Sequence, residues 1–355
     1  MIRAVTRPSS AKCTLSKYIS YLLSEPKSVS CLRVSEVLGM SHDSVNRFLN
    51  RETYSGKDLF NESAQFLDLS GGVLSVDDTV LDKPYAKYIA YIGHFWSGKH
   101  HRTVKGINLI TLFHTDPNGR GAPVNFRVYD KSEGKTKHDY FLEMLNEVIE
   151  WGLSPTFVSG DSWYSCVSNL KKVDSQGYAG FFAIEKNRKV SVQKGKWLQV
   201  QQLDIPENGR VVWLKDYGFV KVFRTFLKEQ KRHYILTLPA SEEDDVMTHK
   251  LEKLTLNEFD RVHDDHWKIE QYHRVIKQVC HVEHFQVRGK TAVKNHIFAA
   301  VCGFVELQNL SISGVLKNCY QLQRNLFNEV IANFVSMFSS TINRLDPEFK
   351  PAVNA

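Results

Sequence analysis

The chain is predicted to be α/β from the order of its segments. Short β-branched runs closed by turn residues alternate with segments of helical periodicity, the order that lays helices over a sheet. At 355 residues, with 42% hydrophobic and 24% charged, it has the balance of a soluble globular protein of two or three domains. No apolar run is long enough to span a bilayer; the most apolar C-terminal piece, Ile297 to Val305, is closed by Glu306. Met1 to Arg7 lacks the apolar stretch of a signal peptide. Six scattered cysteines without a Cys-x-x-Cys pair argue against structural zinc and a disulfide framework, so a reducing cytoplasm is the expected setting.

Residues 14–24 and 31–50 read as helical, the second stretch with a helix-turn-helix cadence. Val34 and Leu38 are apolar, Gly39 supplies a tight turn, Met40 packs, Ser41 caps, and Val45 and Phe48 face inward. His42, Asp43, Ser44, Asn46 and Arg47 then look outward. Residues 1–60 carry nine Lys or Arg against five acids. That excess fits a DNA-binding domain with Ser41 to Asn50 as the recognition helix and Asn46 and Arg47 as contacts; a plain helical hairpin is the alternative.

Strands are expected at Val73 to Thr79, Ile107 to His114 and Pro123 to Tyr129, with Asp116 to Gly121 as a hairpin turn. His138 to Trp151 has amphipathic helical spacing. Thr156 to Gly160 is the next strand, Tyr164 to Val173 a helix, and Tyr178 to Ile184 another strand. Five more strands follow between 186 and 262: Lys189 to Gln193, Trp197 to Gln201, Arg210 to Lys215, Gly218 to Phe226 and His233 to Leu238. From 186 to 235 there are twelve Lys or Arg against four acids, with Trp197, Trp213, Tyr217, Phe219 and Phe223 interleaved. Such a platform fits a nucleic-acid surface or an aromatic core. Val293 to Leu310 and Tyr320 to Ile342 are helical with one apolar face, expected to cover the sheet or mediate dimer contact, and the tail from Pro347 to Ala355 is expected to be disordered.

Chemistry concentrates at three acidic places. Val73 to Thr79 closes on Asp77 and Asp78, and the strand at 156–160 closes on Asp161. The third is on a helix around Trp267 to Lys277. At 100° per residue, Ile269, Tyr272, Val275, Ile276 and Val279 fall on its apolar side, while His263, His266, Glu270, Arg274 and Lys277 form a polar stripe. Carboxylates from two strand ends and a helix make an oxygen-rich site suited to Mg²⁺, the layout of a two-metal phosphoryl-transfer centre. Adjacent strand residues face opposite ways, so only one of Asp77 and Asp78 can meet Asp161. Between Lys83 and Lys105 there are five Lys or Arg, three His and no acid. Lys99, Arg102 and Lys105 there are candidate phosphate contacts or a solvated loop, and His100-His101 is poorly spaced for zinc.

These motifs resemble the DDE transposases of bacterial insertion sequences, in the branch with a Tyr-x2-Arg-x3-Glu-x6-Lys signature and a β-rich insertion before the last acid. Trp267, Ile269, Glu270 and Lys277 match that signature in register. Asp77 and Thr79 match the Asp-x-Thr of the first motif, and Asp161, Ser162 and Tyr164 the Asp-Ser-x-Tyr of the second. Counting back from Glu270, the family's Arg falls on His266 and its Tyr on His263. The resemblance covers roughly residues 70 to 310.

It implies a ribonuclease-H-like catalytic core at 70–185 and 263–310, a β-rich insertion at 186–262, a helical DNA-binding domain at 1–65, and C-terminal helices and tail at 311–355. It implies a cut-and-paste transposase in which Asp77, Asp161 and Glu270 hold two Mg²⁺, with Mn²⁺ tolerated. Asp77 is preferred for the Thr79 that follows it, and Asp78 stays open as the alternative. His263, His266, Arg274 and Lys277 would contact DNA. Relatives cut through a DNA hairpin, for which Trp213 is the preferred base-stacking partner, with Trp197 and Trp267 behind it. The partners would be double-stranded element ends and target DNA, bound by a homodimer in a synaptic complex on the bacterial nucleoid. A helix-turn-helix DNA-binding protein, a catalytically dead copy and a ribonuclease-H-like nuclease without strand transfer remain the other readings.

Overall fold

The computed structural model describes residues 12–25, 29–193, 195–227, 230–239 and 243–345; the expectations for Met1 to Arg7 and for the tail 347–355 lie outside them. Four helices come first: α1 (Leu15–Ser24), α2 (Cys31–Leu38), α3 (His42–Arg51) and α4 (Gly56–Ser63). Each begins where a hydroxyl accepts an otherwise orphaned backbone N–H: Thr14 from Lys17, Ser30 from Arg33, Ser41 from Ser44 and Ser55 from Asp58. α2 stops at Gly39, whose φ of 60° is the left-handed conformation that glycine adopts without steric cost. Val34, Met40, Val45 and Phe48 are buried, as the helix-turn-helix cadence requires. Ser44 is not outward as expected. It is buried because its Oγ accepts the backbone N–H groups of Lys12 and Cys13, at 2.6 and 3.1 Å.

The sheet then begins with β1 (Val73–Asp82), β2 (Gly93–Ser97), β3 (Arg102–Thr115) and β4 (Gly121–Val128). α5 (Lys137–Glu150), β5 (Phe157–Gly160), α6 (Val167–Ser175) and β6 (Ala179–Ile184) follow. β1 pairs antiparallel with β3, and β3 with β4, while β5 runs parallel to β1 and β6 parallel to β5. An antiparallel meander continued by two parallel strands, with α5 and α6 as crossovers, is a ribonuclease-H-like core. β2 is a short strand that no sequence pattern announces. It pairs with Arg102 to Gly106, so Lys99 and His100 stand at a hairpin tip.

β7 (Lys189–Gln193), β8 (Lys196–Gln199), β9 (Arg210–Leu214), β10 (Gly218–Leu227) and β11 (Gln230–Thr237) form no separate sheet. β11 pairs antiparallel with β6, and β10, β9, β7 and β8 follow outward, giving one eleven-stranded sheet. The chain closes with α7 (Asp244–Lys253), α8 (Leu256–Gln278), α9 (Lys290–Ile312) and α10 (Gln321–Leu345). Among the described residues no helix is long and apolar enough to cross a membrane.

Helices cover both faces of the sheet. α5 and α6 lie over Leu74, Val76, Ile110, Leu112 and Val158. Opposite them, Ile269, Tyr272 and Ile276 of α8 join α9 and the sheet residues Leu81, Ile107 and Phe113 in a core that also contains Leu22, Val45 and Phe48. The N-terminal helices therefore share their core with α9. Asn295 reinforces the joint by donating Nδ2 to the carbonyls of Leu49 and Glu52, at 2.7 and 2.6 Å. Val73, Phe157, Phe181 and Phe223 close a smaller core beneath α7 and the first turns of α8.

Candidate active site

Pleating sends alternate side chains of β1 to opposite faces. Leu74 and Val76 go to the α5–α6 side, and Asp78 goes with them. There its carboxylate accepts Asn108 Nδ2 at 2.6 Å, Lys137 Nζ at 2.7 Å and the Tyr164 hydroxyl at 3.1 Å. Asp77 points the other way, toward α8, and its Oδ2 lies 3.4 Å from His273 Nδ1. Asp77, Glu270 and His273 each present a ligand atom within 4.8 Å of the others, and no other trio of His, Cys, Asp or Glu does so among the described residues. Glu270 and His273 are three apart on α8, so helical pitch places both over the same point of the sheet. The polar stripe drawn from the sequence leaves His273 out. Its signal was the Glu-x-x-His spacing.

Asp161 leaves the end of β5, the parallel neighbour of β1. Its Oδ1 accepts the N–H groups of Trp163 and Tyr164, at 2.9 and 3.3 Å, which fixes the loop. A Cβ at Gly160 would lie 2.9 Å from Val76 Cγ1 and 3.2 Å from Tyr164 Cβ, so glycine permits this close approach. One layer in, Ser75 Oγ meets Ser159 Oγ at 2.8 Å, and Ser159 Oγ meets His266 Nδ1 at 3.0 Å. This chain ties β1, β5 and α8 together beside the acids.

Burial and the Asp78 charge push Asp77 up to about 7; Asp161, though its residue surface is exposed, is pushed up to about 7 as well, by desolvation of its carboxylate and then by the Asp77 and Asp78 charges. Glu270, though exposed, is also raised, by desolvation and then by Asp77. Carboxylates that raise one another are short of positive charge, which a divalent ion supplies. Burial pushes His273 down to about 4, so its imidazole is neutral, and its Nε2 has no hydrogen-bond partner. Carboxylate oxygens with one neutral imidazole are a donor set that fits a divalent cation.

The other residues named from the sequence divide. Arg274 is exposed beside Glu270. Lys277 Nζ is engaged by the Val80 carbonyl at 2.7 Å and Glu283 Oε1 at 3.1 Å, so it ties α8 to β1. His266 does not stand as a cation. Burial, then the His263 charge, pushes it down to about 4. His263 packs its ring against Phe259 and Tyr234, at centroid distances of 5.8 and 5.3 Å. Lys99 and Arg102 are exposed on the β2–β3 hairpin and Lys105 is half-buried, while His100 Nε2 lies 2.9 Å from Asp82 Oδ2 rather than in any metal cluster. Asn46 and Arg47 sit on α3, whose inner side packs on α9, and the structure does not bring them to the acids. Trp213 is half-exposed on β9 and meets Phe219 edge-on at 4.9 Å. β9 is five strands from β1, roughly 24 Å across the sheet at the usual strand spacing, so Trp213 is remote from Asp77. Trp163, two residues beyond Asp161, and Trp267, three residues before Glu270 on α8, are exposed indoles closer in the chain to the acids. Beside Ser162 opens a groove of about 540 Å³ lined by Glu185, Lys186, Gln230, Lys231, Arg232 and His233.

The transposase DDE domain family matches residues 69–303, about two thirds of the chain, and the chain belongs to that family. Membership implies use of a divalent metal ion. No curated protein sequence matches the chain significantly. Among solved structures, it is similar to the piggyBac transposase synaptic complex with hairpin DNA, at 12% identity and a TM-score of 0.47 over 96% of this chain and 72% of that one. It is also similar to the Drosophila P element transposase strand transfer complex, at 12% identity and a TM-score of 0.26 over 55% of this chain and 49% of that one. A third likeness is to Marinitoga piezophila Argonaute in complex with a 5′ OH guide RNA, at 10% identity and a TM-score of 0.22 over 62% and 31% of the two chains.

Proposed function

We propose that this chain is a cut-and-paste DNA transposase of a bacterial insertion sequence, which cleaves the ends of its element and joins them to target DNA. Asp77, Asp161 and Glu270 are the metal-holding acids in this reading, with two Mg²⁺ as the resident ions, Mn²⁺ tolerated, and His273 as a further ligand. What carries it is the meeting of Asp77 on β1 with Glu270 and His273 on α8, next to the strand that ends in Asp161. When bound there, the ions supply a lowered pKa for the attacking oxygen and compensation for charge on the leaving one.

The chain's own groups do the rest. Asp77 and His273 are set by the packed interior, while Asp161 and Glu270 are exposed and open the site to a phosphodiester. Ser75, Ser159 and His266 hold the two acid-bearing strands and α8 in register. Lys186, Lys231 and Arg232 line the groove next to Ser162 and bind the backbone of the DNA entering the site. Residues 1–65 bind the element ends, with Asn46 and Arg47 outward on α3, and two copies act together in the synaptic complex.

The test uses the full chain with DNA carrying the inverted repeats that flank its gene. Cleavage and joining in Mg²⁺ are expected, and Glu270→Gln or Asp161→Asn should lower both by more than about a thousandfold while end binding stays within a few-fold. Cleavage without joining would make the protein a nuclease. Binding without cleavage by the unaltered chain would make it a dead copy.

A further inference from the structure

Five residues beyond Asp161 lies a second constellation that metal chemistry does not use. Cys166 occupies the N-cap position of α6, with its Sγ 3.8 Å from His138 Nδ1 and 3.2 Å from Ser168 Oγ. Asn169, wholly buried, donates Nδ2 to the Tyr164 carbonyl and to His138 Nδ1, each at 3.0 Å. Because the Tyr164 carbonyl can only accept, the orientation of that amide is fixed, and Nδ1 is the acceptor nitrogen of the neutral ring. Nδ1 thus faces the thiol, with its one lone pair shared between the Asn169 N–H at 3.0 Å and the Cys166 sulfur at 3.8 Å. The other end of the same amide, Asn169 Oδ1, is buried without a partner. The indole of Trp163 stacks on His138, with centroids 6.0 Å apart and planes 6° from parallel, a contact that favours the ring when it is charged.

We propose that Cys166 and His138 form a nucleophile–base pair, a covalent modification site for hydroperoxides and other soft electrophiles built into the Asp161 loop. His138 takes the thiol proton at Nδ1, displacing the Asn169 N–H, which keeps its bond to the Tyr164 carbonyl, and the sulfur attacks the outer peroxide oxygen. The S–O bond forms as the O–O bond breaks, and the departing oxygen takes the proton from the imidazolium. Sulfur is oxidised to a sulfenic acid, and the peroxide is reduced to water or an alcohol. The start of α6 favours a thiolate through its free N–H groups.

The remaining cysteines set the contrast. Burial pushes the Cys166 thiol up, but His138, Ser168 and the Asn169 N–H outweigh it and bring the thiol down to about 7. His138 is raised in turn by Cys166 first, with Asp139 and Asp161 adding to it. Cys13, Cys31, Cys280, Cys302 and Cys319 are all raised. Modification at Cys166 would crowd the Trp163–His138 stack, two residues from Asp161.

The experiment treats the full-length protein with limiting iodoacetamide near pH 6 and follows each cysteine by mass spectrometry. A thiolate fraction higher by about a hundredfold, reduced about tenfold by lower intrinsic nucleophilicity, predicts that Cys166 reacts about tenfold faster than an ordinary exposed thiol and ahead of Cys31 and Cys319. His138→Gln should remove that advantage, and hydrogen peroxide with dimedone should place its adduct on Cys166. Alkylation of Cys166 no faster than of Cys31 or Cys319 in the unaltered protein would overturn the proposal. So would an unchanged rate in folded His138→Gln. None of these readouts depends on DNA cleavage.

Discussion

Asp77 and Asp78 are joined by one peptide bond yet serve opposite faces of the sheet: Asp77 Oδ2 is 3.4 Å from His273 Nδ1, whereas Asp78 Oδ2 is 2.7 Å from Lys137 Nζ. The two isosteric substitutions should therefore fail differently. Asp77→Asn is expected to abolish metal-dependent cleavage with little change in stability. Asp78→Asn should keep measurable cleavage but lower unfolding free energy by about 1.5–3 kcal/mol, because Lys137 loses a charge-assisted bond in a partly buried place. Urea unfolding beside a cleavage assay separates them, and a stable, inactive Asp78→Asn would reverse the assignment.

His273 is predicted to be a metal ligand. Replacing it with Gln should weaken the apparent affinity for Mg²⁺ or Mn²⁺ by about 10–100-fold, the scale seen when a metal site loses one supporting group. Titrating each ion against cleavage, and separately against thermal stability without DNA, reads this directly. Equal metal dependence in both proteins would leave His273 as packing alone.

A third expectation concerns acid. Burial, then the Lys83 charge, holds His296 down at about 3, while in the unfolded chain it titrates near 6.5. Between those values the unfolded chain binds the extra proton. Stability contributed by His296 is thus fully present above about pH 6.5 and is lost as pH falls toward about 3, at no more than about 1.4 kcal/mol per pH unit. Urea midpoints measured from about pH 7 to about pH 4 should fall, and less steeply in His296→Gln, which can still meet Tyr18. A slope unaffected by the substitution would assign the acid sensitivity to the other buried imidazoles.

Distance supplies the fourth. Trp213 lies roughly 24 Å from β1 across the sheet, so Trp213→Ala should leave end cleavage within a few-fold, whereas Trp163→Ala should slow it about tenfold or more. A gel-based time course of both variants on the same DNA decides between the two indoles.

The sequence carried the local parts of this fold well. In α8 the 3.6-residue period located both the buried Ile269, Tyr272 and Ile276 and the exposed Glu270. Period-two alternation in β1 required Asp77 and Asp78 to part company, although it could not say which partner each would meet. Long-range pairing was not legible. Nothing in residues 179–184 announces that they lie against 233–237, and nothing in α3 announces that its core is completed by α9. His273 was missed for a related reason: its role comes from Asp77 across the sheet, and a single helix examined alone shows it as one more imidazole near an apolar face. Ser44 misled in the same way, since the backbone that buries it comes from Lys12 and Cys13.

The pairing of β11 with β6 has a mechanical meaning. With β6 bound to β5 on one side and β11 on the other, the strands that line the groove and the strands that bear the acids belong to a single hydrogen-bonded plank. If the groove holds DNA as proposed, a pull on it reaches Asp161 through the backbone hydrogen bonds of β11, β6 and β5, and the DNA rather than the sheet would have to bend. Excising the 186–255 segment would leave β6 as a raw edge of unpaired N–H and C=O groups, ready to recruit any other strand. A shortened chain of that kind should aggregate before its chemistry could be measured.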